Sequence, residues 1–169
     1  MIKLIVLDVD GCLSDGKLIY SADGIESKNF NVKDGLGITT WIKTGNQVAI
    51  ITGRNSSIVE KRAKELGIIH LFQGIRDKQT VLKNLVSSLG LTFLEVAAIG
   101  DDLNDYNMLK SVGKSFTPSD GVKTIQDMVD TTLSCKGGDG AVREMIEILV
   151  DENNQRNQFL AVWLSGVKN

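Results

Sequence analysis

The chain has 169 residues, 19 basic and 21 acidic side chains for a net charge of −2, and 42% hydrophobic residues. That length suits one domain over residues 1–169 with a single core. The near balance of charge gives no electrostatic case for nucleic acid or a membrane surface, and no apolar run approaches the ~20 residues of a membrane span. Lys3, Asp8 and Asp10 leave no room for a signal peptide. A cytoplasmic protein is therefore expected, with reduced thiols at Cys12 and Cys135, whose spacing forms no metal motif.

The first predicted strand, about Lys3–Val9, is a continuous apolar run, as expected of a strand buried on both faces. It leads into Asp8-Val9-Asp10-Gly11. Asp23-Gly24 between two short β-prone runs predicts a hairpin within residues 16–31. Lys33-Asp34-Gly35-Leu36-Gly37 is expected to break the chain before a short helix near Ile38–Thr44. Gln47–Thr52 is the second buried strand, and Ser57 and Glu60 have capping-box spacing for a helix ending at Gly67. His70–Phe72 is a short third strand, with His70 expected as a satisfied strand-edge residue rather than a catalyst. A helix opening at Asp77 or Lys78 carries Val81, Leu82, Leu85, Val86 and Leu89 at helical spacing.

Val96–Gly100 is the fourth main strand, followed by Asp101-Asp102-Leu103-Asn104-Asp105 and a helix to about Val112. Weaker strands are predicted at Lys114–Phe116 and Thr131–Leu133, with helices near Gly121–Met128 and Ala141–Val150. Alternating strands and helices with short turns predict an α/β fold with a doubly wound, Rossmann-like parallel sheet. The tail, 151–169, is polar up to Gln158 and then apolar over Phe159–Leu164. That apolar stretch would pack on its own core or on a neighbouring subunit.

Polar residues close each main strand: Asp8 and Asp10, then Thr52, then Lys78, then Asp101, Asp102 and Asp105. In a parallel sheet these ends share one edge, where ligands of open α/β sheets bind. Singly, each has an ordinary structural reading as a turn, cap or helix N-terminal charge. Together they suggest a site. Asp8 and Asp10 would lie on one side of the strand, and a bound cation or a shared proton would relieve their repulsion.

This ordered set resembles the haloacid dehalogenase-like phosphatase superfamily: Asp8-Val9-Asp10-Gly11 matches its first motif, Thr52 its second, Lys78 its third and Gly100–Asp105 its fourth. A phosphoaccepting receiver domain uses similar residues, but its phosphorylated aspartate follows a middle strand. The resemblance implies Asp8 as nucleophile and Asp10 as general acid and base. It implies Mg²⁺ held by the Asp8 carboxylate, the Asp10 carbonyl and Asp101, with Thr52 and Lys78 on the phosphoryl oxygens. Asp102 and Asp105 would orient Lys78 or metal-bound water, direct ligation by Asp102 remaining open.

Neither the segment after Gly11 nor that between Thr52 and Lys78 is long enough for a cap domain, so the hairpin is the one expected insertion. Asn31–Ile38, Thr52-Gly53-Arg54 and Gly137–Glu144 resemble the 3-deoxy-D-manno-octulosonate 8-phosphate (Kdo 8-phosphate) phosphatases. That resemblance implies a capless homotetramer in which hairpins and C-terminal tails of adjacent subunits close the site. The implied substrate is a small sugar acid phosphate, and the product would feed lipopolysaccharide synthesis. Asp34, Gly35, Gly53, Arg54 and Arg62 would join Asp10, Thr52 and Lys78 in binding it, with the two arginines facing its carboxylate and hydroxyls. Thr39 departs from the family pattern, where a basic residue is common. A nonulosonic sugar acid 9-phosphate is the alternative substrate, and a non-catalytic phosphosugar-binding subunit the alternative role.

Overall fold

The computed structural model describes residues 1–164. The chain runs β1 (Leu4–Leu7), β2 (Ile19–Tyr20), β3 (Glu26–Ser27), α1 (Val32–Lys43), β4 (Gln47–Ile51), α2 (Ser57–Leu66), β5 (His70–Phe72) and α3 (Lys78–Ser88). It continues through β6 (Val96–Ile99), α4 (Tyr106–Ser111), β7 (Lys114–Thr117), α5 (Lys123–Gln126), β8 (Thr131–Thr132), α6 (Ala141–Glu152) and α7 (Arg156–Leu164). Six strands form a parallel sheet in the order β5-β4-β1-β6-β7-β8, and β2 and β3 pair as a separate antiparallel hairpin. This is the doubly wound α/β fold expected.

β1 lies in the sheet interior, paired with β4 and β6 from Leu4 to Leu7, and all four of its residues are buried. Alternation along the strand divides its side chains between two cores. Ile5, Leu7 and Val9 pack with Ile38 and Trp41 of α1, Val59 of α2 and Val142 and Met145 of α6. Leu4 and Val6 pack with Leu82 and Leu85 of α3 and Met108 of α4. The same alternation carries Asp8 to the α3 side, where Lys78 stands at the first turn. Asp77 caps that helix, its side chain accepting the Thr80 amide at 3.1 Å.

α1 departs from expectation. Asn31 caps it, accepting from the Lys33 amide, and the helix runs through Gly35 and Gly37 instead of starting after them. Each interior glycine costs a helix about 0.5–1 kcal/mol relative to alanine. Packing explains why they stand there: a Cβ on Gly35 would lie 2.5 Å from Arg62 Nη2, and one on Gly37 3.0 Å from Arg143 Cδ. The cap of α2 is Ser56 rather than Ser57, and the Ser56 hydroxyl donates to Glu26 Oε2 at 3.1 Å instead of capping its own helix. α5 is shorter than the predicted Gly121–Met128.

The tail folds back as α7. Phe159 is buried in the core beneath α1 and α6, and Trp163 Nε1 donates to Thr40 Oγ1 at 2.8 Å. The apolar tail therefore docks in part on its own chain, while Leu160, Trp163 and Leu164 stay substantially exposed. Residues 165–169 of the expected tail lie outside those described. His70 bonds Gln47 through its ring Nε2 at 3.0 Å, the structural role expected of it. No described helix is long and apolar enough to cross a membrane.

Candidate active site

The C-terminal ends of β1, β4 and β6 open into a cavity of about 300 Å³ lined by Asp8, Asp10, Gly16, Thr52, Gly53, Arg54, Asp101, Asp102 and Asn104. Residues from three separate strands thus meet at the sheet edge, as the parallel topology requires. Beneath them lies a buried ionic triad. Lys78 Nζ is 2.6 Å from Asp8 Oδ1 and 2.5 Å from Asp105 Oδ1, and all three side chains are 4% exposed or less. Asp105 also accepts the Asp101 backbone amide at 3.1 Å, which ties the acidic loop after β6 to Lys78. Asp105 thus holds the Lys78 ammonium together with Asp8 and joins it to the acidic loop. Asp102 caps the short turn after it through the Leu103 amide at 2.7 Å.

Electrostatics show a deficit of positive charge. Burial, with Asp105 beside it, pushes the Asp8 carboxyl well above the ordinary carboxylate range despite the pull of Lys78. Burial, with Asp105 and Asp102 nearby, takes Asp101 up to about 7. For Lys78, burial acts to lower its pKa, but the carboxylates of Asp8 and Asp105 outweigh it and hold the ammonium above its usual value.

A hard divalent cation is the group this site fits. Asp8 and Asp101 bring two carboxylates together at the strand ends, oxygen donors of the kind that suit Mg²⁺. Room for Asp101 to approach comes from Gly11, at φ +97°, where a Cβ would lie 2.1 Å from Asp101 Oδ2. Cys12 is also fully buried close by, its sulfur within 4.8 Å of carboxylate oxygens of Asp8 and Asp101. Two further glycines hold this loop from behind: the Gly138 amide donates to the Cys12 carbonyl at 2.9 Å, and a Cβ on Gly137 would lie 1.8 Å from the Gly11 carbonyl oxygen. The Gly137–Glu144 segment thus buttresses the acidic turn.

Not every expected site residue reaches this cavity. Asp34 is fully buried and accepts the amides of Gly140 and Arg143 at the start of α6, at 3.3 and 2.8 Å. Its carboxylate is engaged in joining α1 to α6. Arg62 lies instead in a separate surface hollow with Lys28, Phe30 and Lys61, its guanidinium against Gly35 and 5.7 Å from the Phe30 ring centre. It stands eight positions after Arg54, the last six of them in α2, which carries it away from the strand ends, so within one chain it does not share the cavity with Arg54. Arg54 does line the cavity, and its Nη2 is held by Glu26 Oε1 at 2.8 Å and Tyr20 Oη at 3.1 Å, both from the hairpin.

The hairpin also delivers a residue that sequence reading missed. The Lys28 side chain is 1% exposed, and its Nζ is 2.5 Å from Asp10 Oδ1 and 3.4 Å from Glu26 Oε1. Glu26-Ser27-Lys28 shows a strand-like alternation of charge, the one sequence signal that these two side chains share a face.

A family model for haloacid dehalogenase-like hydrolases matches residues 67–146. The 3-deoxy-D-manno-octulosonate 8-phosphate phosphatase of Salmonella typhi is 41% identical over 149 residues, 88% of this chain and 79% of that protein. The Haemophilus influenzae protein of the same name is 39% identical over 158 residues, 94% of this chain and 88% of its own. A crystal structure of the Moraxella catarrhalis phosphatase, in complex with magnesium ion, phosphate ion and KDO, is similar at a TM-score of 0.92 and 42% identity, covering 96% of this chain and 93% of that one. A cobalt-bound Haemophilus influenzae structure gives a TM-score of 0.87 at 39% identity, with 90% of each chain covered. By likeness over nearly its whole length, the chain belongs to the haloacid dehalogenase-like hydrolases and, within them, to the 3-deoxy-D-manno-octulosonate 8-phosphate phosphatase family.

Proposed function

We propose that the chain hydrolyses Kdo 8-phosphate to Kdo and orthophosphate through an aspartyl phosphate on Asp8. The observation that carries this reading is the meeting of Asp8, Asp10, Thr52, Arg54 and Asp101 in one cavity, over the buried Lys78–Asp105 pair. An Asp8 oxygen attacks phosphorus as the bond to the C8 oxygen breaks, and Asp10 gives its proton to that leaving oxygen. Asp10 then takes a proton from the water that attacks the aspartyl phosphate, releasing orthophosphate and restoring Asp8. Thr52 and the Lys78 ammonium face the phosphoryl oxygens as charge shifts onto them. Mg²⁺, held by Asp8, Asp101 and the Asp10 carbonyl, supplies the positive charge that lets a carboxylate approach a phosphate dianion. Arg54 receives the sugar acid carboxylate in a bidentate pair.

A substrate of this size leaves an open cavity exposed on one side, and a homotetrameric assembly closes it. Supporting that reading, the hairpin carries exposed Leu18, Ile19, Tyr20 and Ile25, and α7 carries exposed Leu160, Trp163 and Leu164. In such an assembly Arg62 acts on a site shared between subunits, while Asp34 and Gly35 hold the frame beside it. The product supplies lipopolysaccharide synthesis in the cytoplasm. Phosphate release measured with Kdo 8-phosphate and with a nonulosonic acid 9-phosphate, with and without Mg²⁺, tests the assignment. Preference for the nine-carbon ester would transfer the reading to that substrate class, and turnover without Mg²⁺ would remove the metal from it.

A further inference from the structure

We infer that Lys28 is a positioning residue for Asp10, through which the hairpin sets the aim of the general acid. Two polar contacts reach the Asp10 carboxyl among the described residues: Lys28 Nζ at 2.5 Å and Ser14 Oγ at 3.5 Å, both on Oδ1. Among the described residues Oδ2 has no hydrogen-bond partner, and it is the oxygen that can carry the proton to a leaving alcohol. The Lys28 side chain is 1% exposed although it belongs to a hairpin whose neighbours Ile19, Tyr20 and Ile25 are exposed. A lysine ammonium buried beside a carboxylate is weak evidence of stabilisation, because desolvation of both charges offsets their attraction. What the pair does provide is a fixed carboxyl orientation.

The hairpin is itself anchored to the opposite wall. Glu26 accepts Arg54 at 2.8 Å and the Ser56 hydroxyl at 3.1 Å, and it lies 3.4 Å from Lys28. Ser14 makes an antiparallel bridge to Phe30, closing the hairpin base onto the acidic turn. Asp10, Lys28, Glu26 and Arg54 thus form one chain of ion pairs from the acid to the second strand end. Lys28 touches no reacting atom and works through Asp10.

The proposal rests on Asp10 being the acid, and the test separates the two. A leaving group that departs without a proton does not need a well-aimed acid. The second-order rate constant kcat/KM, which reports the step up to the aspartyl phosphate, is measured for Kdo 8-phosphate, an alkyl ester, and for p-nitrophenyl phosphate, an activated aryl ester. Lys28→Met is expected to lower it at least about tenfold on the alkyl ester, within the 10²–10⁴ that a positioned acid supplies, and less than about threefold on the aryl ester. Lys28→Arg, which keeps the cation, should restore most of the alkyl-ester rate. Asp10→Asn should show the same selectivity, more strongly. Equal losses on both esters in Lys28→Met, alongside a selective Asp10→Asn, would overturn the role of Lys28. So would a failure of Lys28→Arg to recover the alkyl-ester rate in a folded protein. Equal losses in Asp10→Asn would overturn the acid assignment itself.

Discussion

Removing the charge of Lys78 should destabilise the protein in a way that metal and acid both relieve. The ammonium is 2.6 Å from Asp8 and 2.5 Å from Asp105 in a setting where no side chain of the three is more than 4% exposed. Lys78→Met keeps the volume but leaves two buried carboxylates facing each other. Breaking a buried pair from one side costs about 3–5 kcal/mol. At roughly 2–4 °C per kcal/mol for a domain of this size, the melting temperature should fall by about 6–20 °C in chelator at pH 8. The sign with pH follows from Asp8, already raised above its ordinary value and raised further without the ammonium. An acid with a raised folded pKa binds protons more readily when folded, so its destabilising effect grows as pH rises through that pKa and fades below it. The deficit should therefore be largest at high pH and shrink on acidification toward pH 6. Mg²⁺ should raise the melting temperature of the variant more than that of the parent. Thermal melts of both proteins from pH 6 to 9, with chelator and with Mg²⁺, give the comparison. A variant within 1 kcal/mol of the parent at pH 8 in chelator, or a deficit that grows on acidification, would refute the charge accounting.

Further outcomes follow from the same geometry. Asp8→Asn should lower kcat by roughly 10⁴-fold or more while leaving the melting temperature at or above that of the parent, since it removes a buried like charge; phosphate release and a melt decide, and substantial residual turnover would end its assignment as nucleophile. Gly11→Ala forces a side chain onto a φ of +97° and sets a Cβ 2.1 Å from Asp101 Oδ2, so calorimetry should show weaker Mg²⁺ binding together with a stability loss of about 1–3 kcal/mol. Unchanged Mg²⁺ affinity would show that Asp101 does not need that space. Truncation after Gln155 uncovers the pocket of Phe159, which is 7% exposed, and should cost about 3 kcal/mol and impair turnover. An unchanged melt, mass by light scattering and rate would show that α7 is dispensable.

The strand ends were legible because each depends on local pattern. Four apolar residues before Asp8, the run before Thr52 and Val96–Ile99 before Gly100 are short, uninterrupted and closed by polar residues, which is what buried parallel strands look like in one dimension. The convergence of Asp8, Asp10, Thr52 and Asp101 then follows from parallel topology alone. A pairing of Asp105 with Lys78 came only from the family resemblance, which offered Lys78 or metal-bound water as the group that Asp102 and Asp105 orient; the 2.5 Å contact between Asp105 and Lys78 is a tertiary result.

What only the tertiary structure decided concerns contacts between faces. Gly35 and Gly37 read as helix breakers, yet they lie inside α1, because the space a Cβ would need is taken by Arg62 and Arg143 from other helices. Asp34 and Arg62 carry charge suited to a substrate site, but Asp34 caps α6 and the rotation of α2 turns Arg62 to α1. Lys28 had no local mark beyond one alternation of charge, because its pairing with Asp10 depends on the direction in which an exposed hairpin folds back. Local pattern determined which elements form and which ends carry chemistry. Helix rotation and hairpin direction, set by long-range packing, decided which charged side chains reach the chemistry and which hold the frame around it.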